Sequence, residues 1–340
     1  MTRKAAGISR RQFLRIIGVG GVAGATALNL GLKTTSATES VSETRLLMGT
    51  VVNLTLVSAD LVTARAAVAA CFRHMTRLEA VMSRHQPDSQ LSRLNRDGRL
   101  EGADAHLVDL VRLALEVSVL TEGAFDVTVK PLVDLYQERR QTGALPDAAS
   151  LTAVLERVDY RRVALENDSI AFALPGMGIT LDGIAKGYIV DQGTAILRDH
   201  GFANVLVEAG GDLSTFGAPQ ASRPWQVGIQ PPRQDSPRLL RAFGVTNRAV
   251  ATSGDYLQPY TPDFREHHIL DPRSGHSAPH VASATVIAAS CVQADALATA
   301  LMVMPSAQSL RLVESLHDVE ACLVTKDERL LKSSGFRFSE

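Results

Sequence analysis

Residues 267–304 read HHILDPRSGHSAPHVASATVIAASCVQADALATALMVM, and their pattern predicts a polar turn, a strand and a buried helix in succession. The β-branched run at 282–288 is typical of a strand, and the apolar run at 292–304 is typical of a helix. Asp295 and Thr299 lie four residues apart, so they share one face of that helix. A carboxylate and a hydroxyl placed together could offer two hard oxygen atoms to one Mg²⁺-like ion, which indicates phosphate chemistry.

Outside this stretch, predicted helices and strands mix without the regular alternation of a parallel α/β protein. Amphipathic helices are predicted at 61–83 and 107–120, and the glycines follow no GxGxxG pattern. The segment 83–95 (SRHQPDSQLSRLN) is rich in Ser, Asn and Pro, so we expect a polar loop there. The chain therefore predicts the α+β class, with mostly antiparallel sheets flanked by helices.

The first 37 residues differ from the rest because they carry six basic residues, no acidic residue and a glycine-rich apolar run. SRRQFLR at 9–15 matches the twin-arginine (Tat) export pattern, so 1–37 is interpreted as a Tat signal peptide, followed by a linker at 38–47. The small residues at 25–27 and at 35–37 both fit a cleavage site. We expect a periplasmic protein, soluble or loosely associated with the membrane, that uses the Tat translocase for export.

The mature chain is predicted to be acidic. Removing six of the 35 basic residues leaves 29 against 36 acidic ones, a formal charge of −7. An acidic surface argues against nucleic acid as a partner. The three cysteines, Cys71, Cys291 and Cys322, show no CxxC spacing and predict neither a disulfide framework nor a zinc site.

LDGIAKGY at 181–188 precedes a predicted helix and has the features of an anion site. Gly183 and Gly187 permit close backbone approach, and a helix amino terminus together with Lys186 favours a phosphate. An ordinary loop with a solvated lysine explains this motif equally well. EAGGDL at 208–213 is a weaker signal, because a tight turn alone would account for it.

Two further segments could contact a ligand. In GAFDVTVKPL at 123–132, Phe125 could flank a planar group and Asp126 could bond its polar edge, although an aromatic residue beside a glycine is more often part of the core. ATSGDY at 251–256 places small hydroxyl residues at a strand end, where they leave room for a ligand.

His268 and Asp295 are the residues whose chemistry is easiest to assign. A histidine titrates near neutrality, so His268 could take a proton from a hydroxyl nucleophile; a surface or hydrogen-bonded structural histidine is the alternative. A carboxylate in an apolar helix is costly to bury unless it is paired or bound to metal. This cost favours Asp295 as a metal ligand.

Taken in order, these motifs resemble the FAD:protein FMN transferase family, also called the ApbE family. The resemblance covers 48–304 and is carried by MGT at 48–50, MSRHQPDSQLSRLN at 82–95, GAFDVTVKPL, LDGIAKGY, EAGGDL, ATSGDY, HHILDPRSG and ADALATALMVM. It implies a single ApbE-like (T-fold-like) mixed domain at 48–330, built of two closely coupled lobes, with a C-terminal tail at 331–340.

The resemblance also implies an activity. Members of the family cleave the pyrophosphate of FAD, join the FMN half through a phosphoester to a Thr or Ser of an acceptor protein, release AMP and require Mg²⁺. The expected acceptor is a flavoprotein subunit of an exported or membrane redox complex.

Position by position, His268 matches the proposed base, and Gly183, Asp295 and Thr299 match the metal ligands. The positions that match those lining the flavin nucleotide are Met48, His85, Ala124, Phe125, Asp126, Asp182, Lys186 and Ile269. Two of them depart from the family: its frequent Asp-Leu-Gly-Gly is here Thr-Leu-Asp-Gly at 180–183, and His85 replaces an aromatic residue, often Tyr, that stacks on the flavin. Because a histidine stands where that aromatic residue would stack, we expect weaker flavin affinity.

Two other functions remain open on the residues alone. Water could replace the acceptor hydroxyl, which would make the protein an Mg²⁺-dependent FAD pyrophosphatase. The protein could instead be a periplasmic flavin-binding or maturation protein without transfer activity, although simple carriage requires neither a metal ligand nor a base.

Overall fold

The computed structural model describes residues 39–220, 223–233 and 239–339. The predicted Tat signal at 1–37 lies outside these residues. Within the described ranges, every helix is too short or too polar to cross a membrane.

An eight-stranded sheet forms the centre of the fold, in the order β1-β2-β6-β7-β10-β11-β12-β13, and each neighbouring pair is antiparallel. Its strands are β1 (Glu39–Leu47), β2 (Thr50–Ser58), β6 (Val205–Ala209), β7 (Asp212–Phe216), β10 (Ala249–Gly254), β11 (Val281–Ala288), β12 (Glu320–Thr325) and β13 (Leu330–Lys332). Two smaller antiparallel sheets contain β3 (Arg99–Leu100), β5 (Ser169–Phe172) and β4 (Val163–Glu166), and β8 (Trp225–Ile229) with β9 (Arg241–Val245).

Helices cover one face of the large sheet. Among the described residues the helices are α1 (Leu61–Met82), α2 (Gln90–Asp97), α3 (Ala105–Leu120), α4 (Lys130–Thr142), α5 (Ala148–Leu155), α6 (Ala185–Asp199), α7 (Cys291–Val303) and α8 (Ser306–Ser315). α1 packs on β1 and β2, α6 on β6 and β7, and α7 on β10 and β11. The α+β prediction is confirmed.

The opposite face of the sheet packs against the β8–β9 hairpin. Leu213, Val250 and Ile287 of the sheet share an apolar cluster there with Trp225 and Phe243 of the hairpin. Side chains alternate between faces along a strand, so the neighbours of Leu213 and Val250 point toward the helices. Asp212 and Ala251 are accordingly on the helix-covered face.

The predicted linker at 38–47 is wrong, because residues 39–47 form β1 and pair with β2 along its whole length. Its polar composition misled the prediction: β1 is an edge strand, and Val41 is the residue of β1 that is fully buried. Met48 and Gly49 make the hairpin turn with φ values of 53° and 69°. An edge strand needs few apolar residues, since it is solvated on one side.

The predicted C-terminal tail at 331–340 is also wrong over most of its length. Its first residues belong to β13, and Phe336 is 0% exposed with its ring 5.0 Å from that of Phe243. Phe336 is therefore part of the core.

The expected polar loop at 83–95 contains most of α2. Ser89 accepts a hydrogen bond from the Ser92 N–H (2.9 Å) and so caps the helix, and Gly98 ends it in the left-handed conformation with a φ of 72°. The serines that indicated a loop therefore include the residue that starts a helix, which is a usual role of Ser.

Candidate functional site

The site forms where α6 and the turn before it pack against α7. The backbone N–H of Gly187, in the first turn of α6, donates a hydrogen bond to Asp295 Oδ2 on α7 (2.9 Å). One turn earlier, a Cβ added to Gly183 would lie 3.0 Å from Thr299 Oγ1. The two predicted metal-ligand side chains and the predicted glycine ligand are thus brought together.

This packing requires a glycine at 187. A Cβ there would lie 2.7 Å from the carbonyl carbon of Cys291 and 2.8 Å from Asp295 Cβ, and closer still to the Cys291 oxygen. No ordinary Cβ contact is so short, and backbone atoms cannot rotate away. α6 and α7 therefore approach more closely than helices with side chains in the interface would allow.

Gly187→Ala should destabilise the protein, although Gly→Ala in a helix interior normally stabilises by about 1 kcal/mol. We expect the free energy of unfolding to fall by about 1–3 kcal/mol, because the added methyl group overpacks the contact between α6 and α7. Thermal unfolding checks this, with Gly193→Ala as the control: a Cβ at Gly193 would meet side-chain atoms of Cys71 and Met75 at 3.1 Å, and these can move. Equal Tm values for the two variants would contradict this close packing of α6 against α7.

Three titratable side chains lie beside Gly187: the half-buried Lys186 and the buried Asp212 and Asp295. Lys186 Nζ forms an ion pair with Asp212 Oδ2 at 2.8 Å, and Asp212 and Asp295 are only 1% and 5% exposed. Burial, followed by the negative charge of Asp212, raises the pKa of Asp295 well above its usual range. Two carboxyl groups share a single ammonium, so full ionisation leaves an uncompensated negative charge that a cation would neutralise.

Asp212 is the functional residue that the sequence indicated only weakly. It begins β7 directly after the Gly210–Gly211 turn of EAGGDL and faces the helices. Besides Lys186, its carboxylate approaches the Thr252 backbone N–H (3.4 Å). A carboxylate at the start of a strand whose neighbours are apolar was the available signal, but a tight turn explained the motif equally well.

β10 contributes one hydroxyl group to the same place. Ser253 Oγ lies 3.3 Å from Thr299 Oγ1. The neighbouring Thr252 is on the opposite face of the sheet, where its Oγ1 lies 2.9 Å from Thr285 Oγ1. That this strand end leaves room for a ligand stays a prediction. The hydroxyl groups of Ser253 and Thr299 thus lie together beside the Gly183 turn.

The loop that carries Gly183 is held from both sides. The Asn95 side chain on α2 both donates to the Ile179 carbonyl (2.9 Å) and accepts from the Ile179 N–H (2.7 Å). Arg84 Nε donates to Asp182 Oδ2 at 2.7 Å. His85 follows Arg84 in an exposed position, which leaves its ring available to a planar ligand.

The two adjacent histidines have different roles. His267 is 0% exposed; its backbone N–H donates to Ser277 Oγ (2.8 Å) and its ring Nε2 lies 3.0 Å from the Ala278 carbonyl. These contacts make His267 a structural residue.

His268 is the candidate base. Its Nδ1 is buried and, within the described part of the chain, has no hydrogen-bond partner. Burial, with the positive charge that His267 could carry as a second cause, lowers the pKa of His268 from 6.5 to about 4. His268 is therefore a neutral imidazole at physiological pH, the form that can accept a proton.

Of the predicted flavin contacts at 124–126, Phe125 lies at the candidate site, whereas Asp126 holds the local backbone. Phe125 lies against the loop, since a Cβ added to Gly183 would be 3.3 Å from its ring. Asp126 is instead committed to the backbone: its carboxylate accepts from the Thr128 N–H and hydroxyl (2.8 and 2.6 Å) and from the Tyr160 N–H (3.0 Å). Burial raises the pKa of Asp126.

The other predicted flavin contacts described by the structure include Ala124, Ile269 and Met48. Ala124 and Ile269 belong to the apolar cluster that also contains Ala298 of α7. Met48 is half-buried, and its N–H donates to Glu79 Oε1 (2.9 Å). The roles of these residues toward flavin remain predictions, as do those of His85, Asp126, Asp182 and Lys186.

The site suits a small hard cation. Within residues 39–339 as described, the structure has no group of three or more His, Cys, Asp or Glu side chains that could hold a metal ion. Mg²⁺, however, commonly takes only one or two carboxylates and completes its shell with substrate phosphates and water. Asp295, Thr299 and the backbone of Gly183 fit that pattern.

Comparisons with known proteins identify the family of the chain. The model of the ApbE family matches residues 48–323. A FAD:protein FMN transferase of Vibrio cholerae is 32% identical over 265 residues, which is 75% of this chain and 79% of the relative. The chain belongs to the ApbE family.

Solved structures lead to the same family. The ApbE protein of Thermotoga maritima superposes with a TM-score of 0.79 at 29% identity, over 87% of this chain and 97% of that one. The flavin transferase ApbE of Vibrio cholerae superposes with a TM-score of 0.75 at 29% identity, over 88% of this chain and 98% of that one. The predicted family and fold are confirmed.

Proposed function

We propose that the protein is a FAD:protein FMN transferase that works with Mg²⁺. It cleaves FAD, joins the FMN half through a phosphoester to a Thr or Ser of an acceptor protein, and releases AMP. The transferase class agrees with the name of its relatives. The observation that carries the proposal is the meeting of Gly183, Asp295 and Thr299 at one point beside the Lys186–Asp212 pair.

Different residues of this chain have different roles in the proposed reaction. Asp295, Thr299 and the Gly183 carbonyl would hold the cation, which when bound neutralises pyrophosphate charge and favours the departure of AMP. Lys186 lies beside Asp295 and adds a positive charge near the phosphates. Phe125, which contacts the Gly183 turn, offers an apolar surface to the flavin half.

Proton transfer falls to His268. As the acceptor hydroxyl oxygen attacks the FMN phosphorus, His268 takes the hydroxyl proton, the bond to the AMP phosphate breaks, and AMP carries away the electron pair. The neutral imidazole is ready for this step because burial lowers the pKa of His268 to about 4.

The lowered pKa predicts an unusual pH profile. Because His268 in the free enzyme stays unprotonated down to about pH 4, kcat/KM for FAD should show no inflection near 6.5, where an ordinary histidine titrates. Steady-state transfer measured between about pH 5 and pH 8 checks this. A tenfold loss of kcat/KM per pH unit below 6.5 would contradict it.

The pH dependence of the free energy of unfolding provides an independent check of the lowered pKa of His268. Between about pH 4 and 6.5 the unfolded chain binds a proton at residue 268 and the folded protein does not. The contribution of His268 to the free energy of unfolding therefore rises with pH across this window and is constant above it. His268→Gln should remove that part of the pH dependence and leave the stability above pH 7 nearly unchanged.

Transfer and hydrolysis are separated by incubating the purified protein with FAD and Mg²⁺, with and without a candidate acceptor. We expect covalent FMN on an acceptor Thr or Ser by mass spectrometry, together with one AMP per FMN transferred. Fast release of free FMN without acceptor would favour a pyrophosphatase. Comparing the exported proteins of cells with and without this gene would identify the acceptor.

The acceptor is a flavoprotein subunit of an exported or membrane redox complex, and the enzyme meets it in the periplasm after Tat export. The twin-arginine pattern at 9–15 supports this localisation. Fractionation of cells that express the whole chain checks it, and retention in the cytoplasm would contradict it.

A further inference from the structure

Asp191 on α6 is a half-buried carboxylate whose two oxygens both accept hydrogen bonds from the start of α7. Its Oδ1 accepts from the Cys291 N–H (2.9 Å) and its Oδ2 from the Val292 N–H (2.8 Å). The first N–H groups of a helix have no partner inside the helix and must be satisfied from outside. Asp191 therefore caps a helix that lies 100 residues further along the chain.

α7 depends on this distant cap. Among the described residues, its own N-cap position, Ser290, forms no side-chain capping hydrogen bond. At the start of α1, by contrast, the N-cap residue itself satisfies such groups, since Asp60 accepts from the Val62 and Thr63 N–H groups. The start of α7 is therefore fixed by α6 rather than by its own sequence.

The position of the cap has a regular relation to the metal site. Asp191 faces Cys291, Gly187 faces Asp295, and Gly183, just before α6, faces Thr299. The three positions on each side are four residues apart. Each step of four along one helix matches a step of four in the opposite direction along the other. Residues four apart share a helix face, so the three contacts form one antiparallel seam.

One end of this seam holds the candidate metal ligands and the other end holds Asp191. Displacing α7 along α6 would separate Asp295 from the Gly187 N–H, and Thr299 from Gly183. Hydrogen bonds between a carboxylate and backbone N–H groups are among the stronger ones in proteins. Asp191 is therefore well suited to hold the register of the seam.

We propose that Asp191 is a positioning residue for the metal site: it fixes the register of α7 on α6 and so sets the distance between Asp295, Thr299 and the Gly183 backbone. It touches neither the substrate nor the cation. This role rests on the proposed function, because it presumes that a divalent cation binds at Asp295 and Thr299.

The test compares the purified wild-type protein with Asp191→Asn, in which the amide keeps the shape but can accept only one of the two N–H groups. Mn²⁺ alone is the probe, with free Mn²⁺ read by electron paramagnetic resonance. We expect the Mn²⁺ dissociation constant to rise about tenfold, in the range found when a residue that orients metal ligands is removed. The Mg²⁺ concentration for half-maximal transfer should rise in parallel, with kcat at saturating Mg²⁺ changed less than threefold.

A matched control separates positioning from loss of stability. Phe243→Leu, on the opposite face of the large sheet, leaves a small cavity in the core. It should lower the Tm and leave Mn²⁺ affinity as in the wild type. Asp191→Glu, whose carboxylate sits one methylene further out, provides a second variant if Asp191→Asn does not fold, and we expect it also to weaken Mn²⁺ binding.

The outcomes distinguish this inference from the function on which it rests. Wild-type protein that shows no saturable Mn²⁺ binding overturns the metal site and the role of Asp191 together. Wild-type binding that Asp191→Asn or Asp191→Glu leaves within twofold overturns the role of Asp191 alone. Equal weakening by Phe243→Leu would overturn it as well, because affinity would then follow stability.

Discussion

Asp295→Asn should abolish FMN transfer while leaving the fold intact. The asparagine can still accept the Gly187 N–H through its amide oxygen, but it removes the negative charge that would hold the cation. Loss of several kcal/mol of charge stabilisation corresponds to a fall in kcat of about a thousandfold or more. The measurement is covalent FMN on the acceptor over time, with FAD binding followed separately by flavin fluorescence.

The Tm of the Asp295→Asn variant provides a second test of the metal assignment. Burial and the charge of Asp212 already oppose ionisation of Asp295 in the metal-free protein, so removing the charge should not lower the Tm. Much of the FAD binding should also remain, since Phe125 and Lys186 are unchanged. Asp199→Asn, at an exposed position at the end of α6, serves as the control. Transfer at the parental rate in Asp295→Asn would show that the metal assignment is wrong.

His268→Ala should have the second largest effect. A positioned general base is typically worth about 10²–10⁴-fold in rate, and we expect a loss of kcat in this range with Mn²⁺ and FAD still bound. Rapid-mixing measurements of transfer, combined with binding titrations, separate the two quantities.

Two other histidines serve as controls for His268→Ala. His267→Ala should instead lower the Tm, because it removes a buried ring that bonds the Ala278 carbonyl. His317→Ala should change nothing, since its side chain is 95% exposed. Loss of folding in His268→Ala, without a defect specific to transfer, would return His268 to a structural role.

The site residues that could be predicted are those whose neighbours in sequence make them unusual. Asp295 stands in an almost wholly apolar helix, and Thr299 follows one turn later, so the pair is visible without any structure. Asp212 lacks such a context. Its importance comes from Lys186 and Asp295, which approach it from other elements.

The seam between α6 and α7 could not be predicted, because it joins segments about a hundred residues apart. The sequence shows that Gly187 lacks a side chain, but only the packed structure shows that Cys291 occupies the space. Asp191 likewise looks like a polar residue on an amphipathic helix. Its role depends on the N–H groups of α7, which no local pattern reveals.

Local composition also misled the fold prediction in two places. The polar residues before β2 suggested a linker, but an edge strand tolerates them. The Ser-rich segment after α1 suggested a loop, but Ser89 is the cap of α2. Backbone pairing with β2 decides the first case, and the hydrogen bond from the Ser92 N–H to the Ser89 side chain decides the second.

The most direct test of the central claim is a crystal structure of the protein with FAD and Mn²⁺, using the anomalous signal of Mn²⁺ to locate the ion. We expect one ion bound by the Asp295 carboxylate, Thr299 Oγ1 and the Gly183 carbonyl, in contact with the pyrophosphate of FAD. An ordered pyrophosphate with the Asp295 side chain directed away from it, and no ion between them, would contradict the account.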